Sequence, residues 1–185
     1  MNKIHSIFKI SLLMLIFLFI SACSDSISPY NVSLITDKTD NYSQISIQPN
    51  RNLKMHISEK FENPQLIGGN GSSREINFQE IMPWLRSRLV NINSLDCVLT
   101  KKINIEISVK KLYTAIDCDV VSVGTLVLNA KIVTADGKTL VRNYRGDCKM
   151  DFFTLNQKNG IRACLNSSLD LIITNIKHDI CEINM

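Results

Sequence analysis

From Ile103 onward the chain carries a strict two-residue alternation. Ile103, Ile105, Ile107 and Val109 are separated by Asn104, Glu106, Ser108 and Lys110, the pattern of a strand with one buried and one wet face. Leu112 breaks the phase, which predicts a bulge near Lys110-Lys111. A turn around Asp117-Cys118-Asp119 leads to a long strand over residues 120–134, and Asp136-Gly137 turns it back into a strand over residues 139–152. The register of this hairpin follows from which side chains share a face. A two-residue turn would set Leu126 against Asp147 and Leu128 against Arg145, burying charge. A three-residue Ala135-Asp136-Gly137 loop, with Gly137 left-handed, instead pairs Ile132 with Leu140, Leu128 with Tyr144 and Gly124 with Cys148. The second register is expected.

Helical periodicity follows the strands. Thr154-Leu155-Asn156-Gln157 has the form of a capping box. Ile161, Leu165, Leu169, Ile172 and Ile176 then make one stripe, so a C-terminal helix is expected to lie on the sheet, with Cys164 on its buried side. A second helix is predicted near residues 78–92 from Asn77, Glu80 and the apolar positions Phe78, Ile81, Met82, Leu85 and Leu89. Pro83 allows it only if the helix starts near Met82 or is kinked. Trp84 is read as core before it is read as a binding anchor. Upstream, Leu53-Lys54-Met55-His56-Ile57 alternates like a first strand, and residues 63–74, rich in Gly, Ser and Asn, read as a loop. The expected fold is α+β: an antiparallel sheet of about four strands, with the meander at 103–152, the C-terminal helix on one face and the second helix near 78–92.

The amino end is an address rather than a fold. Lys3 and Lys9 give it positive charge, residues 10–20 are apolar apart from Ser11, and Ser21 and Ala22 are small, which is the order of a secretory leader. The run is shorter than the roughly 20 residues that a spanning helix needs. Ile20-Ser21-Ala22-Cys23 resembles a bacterial lipoprotein signal. That resemblance implies that the Cys23 sulfur takes a diacylglyceryl group and that the new amino terminus is acylated after cleavage. Each buried methylene is worth about 0.8 kcal/mol, so two or more chains hold a protein on its membrane. Ser24 after the cysteine resembles the enteric signal for the outer membrane. Residues 1–22 are therefore expected to be a leader. Residues 23–50, mostly Ser, Asn, Asp and Thr, are expected to be a tether with at most one edge strand, and residues 51–185 a single domain. Loss of Lys3 and Lys9 lowers the formal charge of +4 by two, too little to argue for nucleic acid.

Beyond Cys23 there are Cys97, Cys118, Cys148, Cys164 and Cys181, in a compartment where disulfides persist. Their number is odd, and no two stand in a C-x-x-C spacing, so the strong signals for zinc and for thiol redox chemistry are missing. Cys148 shares the sheet face of Tyr144 and Met150, and Cys164 faces that sheet from the helix, so these two are candidates for a disulfide. His56 and His178 have no acid or nucleophile at a known spacing. His178-Asp179-Ile180-Cys181 could be drawn as a cysteine with a base, but a fraying end would not hold such groups in place. The glycine-rich loop lacks the lysine that a phosphate-cradling loop requires. No enzyme, cofactor or metal site is expected. On the wet face, Val121, Val123 and Val127 form an apolar stripe, with Val127 beside Arg145 and Val123 beside Lys149, the makings of an interface core with a polar rim. A carrier of an apolar ligand held between sheet and helix is the alternative.

The element order and three segments carry a family resemblance. Leu66-Ile67-Gly68, the run Ile103-Asn104-Ile105-Glu106-Ile107-Ser108-Val109-Lys110-Lys111-Leu112-Tyr113 and the run Gly137-Lys138-Thr139-Leu140-Val141-Arg142-Asn143-Tyr144-Arg145-Gly146 look like the YajG-type family of Gram-negative lipoproteins. The five further cysteines and the lack of Asp-x-Arg after the first strand depart from it. The resemblance implies a protein anchored through Cys23 at the periplasmic face of the outer membrane. Its expected partners are that membrane and an envelope protein.

Overall fold

The computed structural model describes residues 30–35, 50–62, 64–70, 75–116, 121–151 and 157–185. In chain order the strands are β1 (Tyr30–Ser33), β2 (Leu53–Ile57), β3 (Ile67–Asn70), β4 (Glu75–Gln79), β5 (Ile103–Ile116), β6 (Val121–Thr134) and β7 (Thr139–Asp151). The helices are α1 (Ile81–Leu89) and α2 (Gln157–Asn184). Cys23, the leader and the Thr154 capping box lie outside the described residues.

The long alternation makes β5, and the meander β5-β6-β7 is antiparallel throughout. Lys110 is the extra residue of a bulge: Val109 pairs with Leu128 and Lys111 with Val127. The β6–β7 register is the charge-sparing one, with Ile132 opposite Leu140, Leu128 opposite Tyr144 and Gly124 opposite Cys148. Gly137 makes the turn at φ +88°, a conformation open to glycine and costly for most other residues.

The expectation of an antiparallel sheet of about four strands is wrong. Among the described residues the sheet has seven strands and is mixed, in the order β1-β4-β3-β5-β6-β7 with β2 added beside β5. β2 runs parallel to the first half of β5, and β3 parallel to the second half. The bulge at Lys110 falls where β2 hands over to β3, and the intervening segment is tied there by Lys110 Nζ to Glu62 at 3.0 Å. Ser108 also donates to Glu62. The Ser108 hydrogen bond and then Lys110 hold the Glu62 carboxyl below its ordinary range. β1 pairs parallel with β4, and Val32 is completely buried, so the one edge strand allowed for within the tether is present and belongs to the sheet. β1, β3 and β4 have four or five residues each, too short for periodicity to declare, whereas β2 is the alternating run Leu53–Ile57 read as a strand from sequence. Ile67-Gly68-Gly69-Asn70 has loop composition yet pairs on both sides.

The helix expected near 78–92 starts later. Asn77 and Phe78 belong to β4, and α1 begins at Ile81, with a tighter 3-10 turn over Val90–Asn93 beyond it. Pro83 thus sits in the first turn, where an absent N–H costs nothing. The first helical bond runs from Trp84 N–H to the Glu80 carbonyl at 3.0 Å.

Both helices contribute to one core with the inward side chains of the sheet. Leu126, Leu128 and Ile132 of β6 and Leu165, Leu169, Ile172 and Ile176 of α2 are all shut off from water. The outward residues of β5, β6 and β7 are left on a face that neither helix covers. Two disulfides staple the helix side. Cys148 of β7 joins Cys164 of α2 with 5.4 Å between Cα atoms. Cys97 joins Cys181 at 5.9 Å and pins the end of α2 to the segment after α1.

Candidate functional site

The outward face of the sheet is the surface on which the candidate residues meet. Val127 stands between Lys111 and Arg145 across the strands, and Val123 between Ala115 and Lys149. Val123 is 43% exposed, while Val127 is half-buried and Arg145 and Lys149 are exposed. Val121 belongs to the same strand, but its side chain is outside the described set.

Around Val127 the charges are held in place. Asp147 accepts from Arg145 Nε at 2.6 Å and from the Thr125 hydroxyl at 2.7 Å. Arg145 and then Thr125 keep the Asp147 carboxyl below its ordinary range, and Asp147 in turn raises the guanidinium's affinity for its proton. Lys111 Nζ lies 5.2 Å from the centre of the Tyr113 ring, within cation–π range. The result is a small apolar patch rimmed by ordered polar groups. α1 does not cover it: Trp84 donates to Asn166 of α2 at 2.7 Å, and Arg88 pairs with Asp170 at 2.7 Å, both on the helix side. Lower on the outward face, Lys54, His56, Glu106 and Lys131 line an open groove of about 420 Å³.

The C-terminal cluster is built for support. His178, Asp179 and Glu182 each offer a ligand atom within 4.8 Å of the others. Both oxygens of Asp179 are already taken: Arg142 donates to them at 2.9 and 2.8 Å, and the Tyr144 hydroxyl at 2.5 Å. Burial, and then the Asp179 carboxylate, push the Tyr144 phenol well above its ordinary value. Cys181 has no free thiol because it is bonded to Cys97. The expectation that this end frays is also corrected. The helix runs to Asn184, which accepts from Thr100 N–H at 3.1 Å and donates to the Val98 carbonyl at 3.0 Å. Sequence reasoning misses the Cys97–Cys181 pair because the two lie 84 residues apart with no periodic element placing both on one face, and an odd count of five does not say which cysteine is left over. The space proposed for an apolar ligand is occupied by the fully buried side chains of β6 and α2. Among the described residues no helix is long and apolar enough to cross a membrane.

A seven-stranded mixed sheet with helices on one face and an open second face is a form met elsewhere. The structure is similar to that of protein XCC0632 from Xanthomonas campestris, described as family DUF330. The TM-score is 0.50 at 12% identity, over 83% of this chain and 95% of that one. The two share a fold. A second solved structure, of an uncharacterised protein, matches at TM-score 0.41 and 10% identity over 69% of this chain and 88% of the other, too distant to add to the argument. No family model matches the sequence. No curated protein matches it either.

Proposed function

We propose that this chain is a YajG-type envelope lipoprotein, held through acylated Cys23 on the periplasmic face of the outer membrane. There it acts without chemistry of its own, by binding another envelope protein. The observation that carries the binding role is the open face of the sheet, where Val127 is bordered by Arg145, held by Asp147, and Val123 by the exposed Lys149. The leader ending at Cys23 supports the address, and the fold shared with a DUF330 protein is compatible with this family reading. The partners are the membrane and a protein, with no nucleic acid.

Two experiments test the two halves of this reading. Metabolic labelling with palmitate should mark the wild type and leave Cys23→Ser unmarked; an unlabelled wild type removes the anchor. Cross-linking in intact envelopes, read by mass spectrometry, should show a specific partner that is lost in Val123→Lys. Because the site is exposed, its melting temperature should stay within a few degrees, for a cost of about 0.5 kcal/mol. A variant that unfolds would place Val123 in the core and remove the binding surface.

A further inference from the structure

β7 is an open edge. It spans thirteen residues, and among the described residues no strand pairs with its far side. The opposite edge, β1, has four residues, short enough to be safe from unwanted pairing. β7 has no proline and no bulge in its ladder with β6, and its exposed charges Arg145, Asp147 and Lys149 are of mixed sign rather than a run of one. Thr134 N–H donates to the Lys138 carbonyl at 3.0 Å, so Lys138 turns toward β6. The unbroken ladder carries that parity along the strand. The even-numbered residues of β7 are thus spent on β6, and the odd-numbered ones direct their N–H and C=O groups off the sheet.

The side chains on those odd-numbered residues are complementary to themselves. We infer that the chain forms a two-fold dimer by antiparallel pairing of β7 with β7 of a second copy, Gly146 lying on the axis and Arg145 facing the second copy's Asp147. The axis uses each ion pair twice, as an isologous contact must. Sliding the copy by two residues either way sets Arg145 against Arg145 or Asp147 against Asp147, so charge selects the register. In this register Asn143 faces Lys149, which carries no like-charge penalty.

α2 lies over β6 and β7: Cys164 is bonded to Cys148, and a Cβ at Gly146 would stand 2.3 Å from the Ser168 carbonyl oxygen. Leu171 follows Ser168 by three residues, which puts it on the β7 flank of the helix. It is 50% exposed, and Val141 on the edge strand is 60% exposed. Both are apolar groups that a second copy would cover.

Sedimentation velocity of the purified full chain in detergent, over a dilution series, tests this together with charge-reversal variants. The wild type should sediment as a dimer that dissociates on dilution. Arg145→Glu and Asp147→Arg should each weaken association about tenfold or more, while at a dilution where the wild type is monomeric the melting temperature stays within a few degrees of wild type, because both side chains are exposed. The swap Arg145→Glu with Asp147→Arg should restore association to near wild type. A wild type that is monomeric at every concentration overturns the inference and leaves the edge to another protein or to water. So do single variants that associate as well as wild type, and so does a swap no stronger than the single variants.

Discussion

Gly124 stands directly across the ladder from Cys148, and a Cβ at Gly124 would lie 2.8 Å from the Cys148 sulfur and 3.0 Å from that of Cys164. The disulfide therefore occupies the space that a side chain at Gly124 would need. Its sulfurs are fixed between strand and helix and cannot swing aside.

Gly124→Ala should destabilise the oxidised protein by about 1–3 kcal/mol, the usual penalty for overpacking. In a Cys148→Ala, Cys164→Ala background most of that penalty should vanish, since the sulfurs are gone and the two sites are coupled. Urea unfolding of the four proteins closes the cycle. Equal penalties in both backgrounds would mean that something other than the sulfur pair excludes the methyl group.

The register that brings Gly124 to Cys148 was legible in the sequence because the alternative loop length would have set Arg145 and Asp147 on the apolar face. Where charge and apolarity alternate over a dozen residues, a one-residue slip is expensive, and the pattern declares itself. The left half of the sheet offers no such leverage. β1 and β3 find parallel partners remote in sequence, so nothing local marks those pairings; the alternation of β2 marks the strand but not its parallel pairing with β5. Phe78 illustrates the ambiguity. It lies three residues before Ile81, which suits a helix, and two after Ile76, which suits a strand; the strand wins because the chain turns at Glu80, φ 59°. The valine stripe followed from the register, whereas the Cys97–Cys181 bond had no sequence signal beyond an oxidising compartment.

Tyr144 predicts an alkaline weakness. Its phenol, buried and bonded to Asp179, titrates well above its ordinary value of 10.0. In the unfolded chain it titrates near that value. Above about pH 10 the unfolded chain gives up a proton that the native state keeps, so rising pH favours unfolding. The contribution is intact below that pH and is lost as pH climbs through the folded value. Tyr144→Phe should lower stability by about 1–2 kcal/mol near neutrality, by removing one of the two donors to the buried Asp179 Oδ2 and leaving Arg142 alone on it. It should also flatten the loss of stability between about pH 9 and about pH 11 relative to wild type. Unfolding free energies across that range decide it, and parallel curves would show that Tyr144 does not carry the alkaline slope.

The two disulfides should differ in what they contribute. Cys148–Cys164 closes a sequence separation of 16, and Cys97–Cys181 one of 84. On the chain-entropy account, opening the first releases about 3 kcal/mol of unfolded-state freedom and opening the second about 4.5 kcal/mol. The longer bridge also holds the last turn of α2, where Asp179 anchors Arg142 and Tyr144 and where Asn184 bonds to Thr100 and Val98. Cys97→Ala with Cys181→Ala should therefore cost more than Cys148→Ala with Cys164→Ala. It should also raise amide exchange selectively in the last turns of α2, while the β6–β7 ladder stays protected. Paired denaturation and hydrogen-exchange measurements check both parts. A larger loss from the Cys148–Cys164 deletion would mean that the bridge between sheet and helix, and not the closure of the long loop, dominates the stability of this domain.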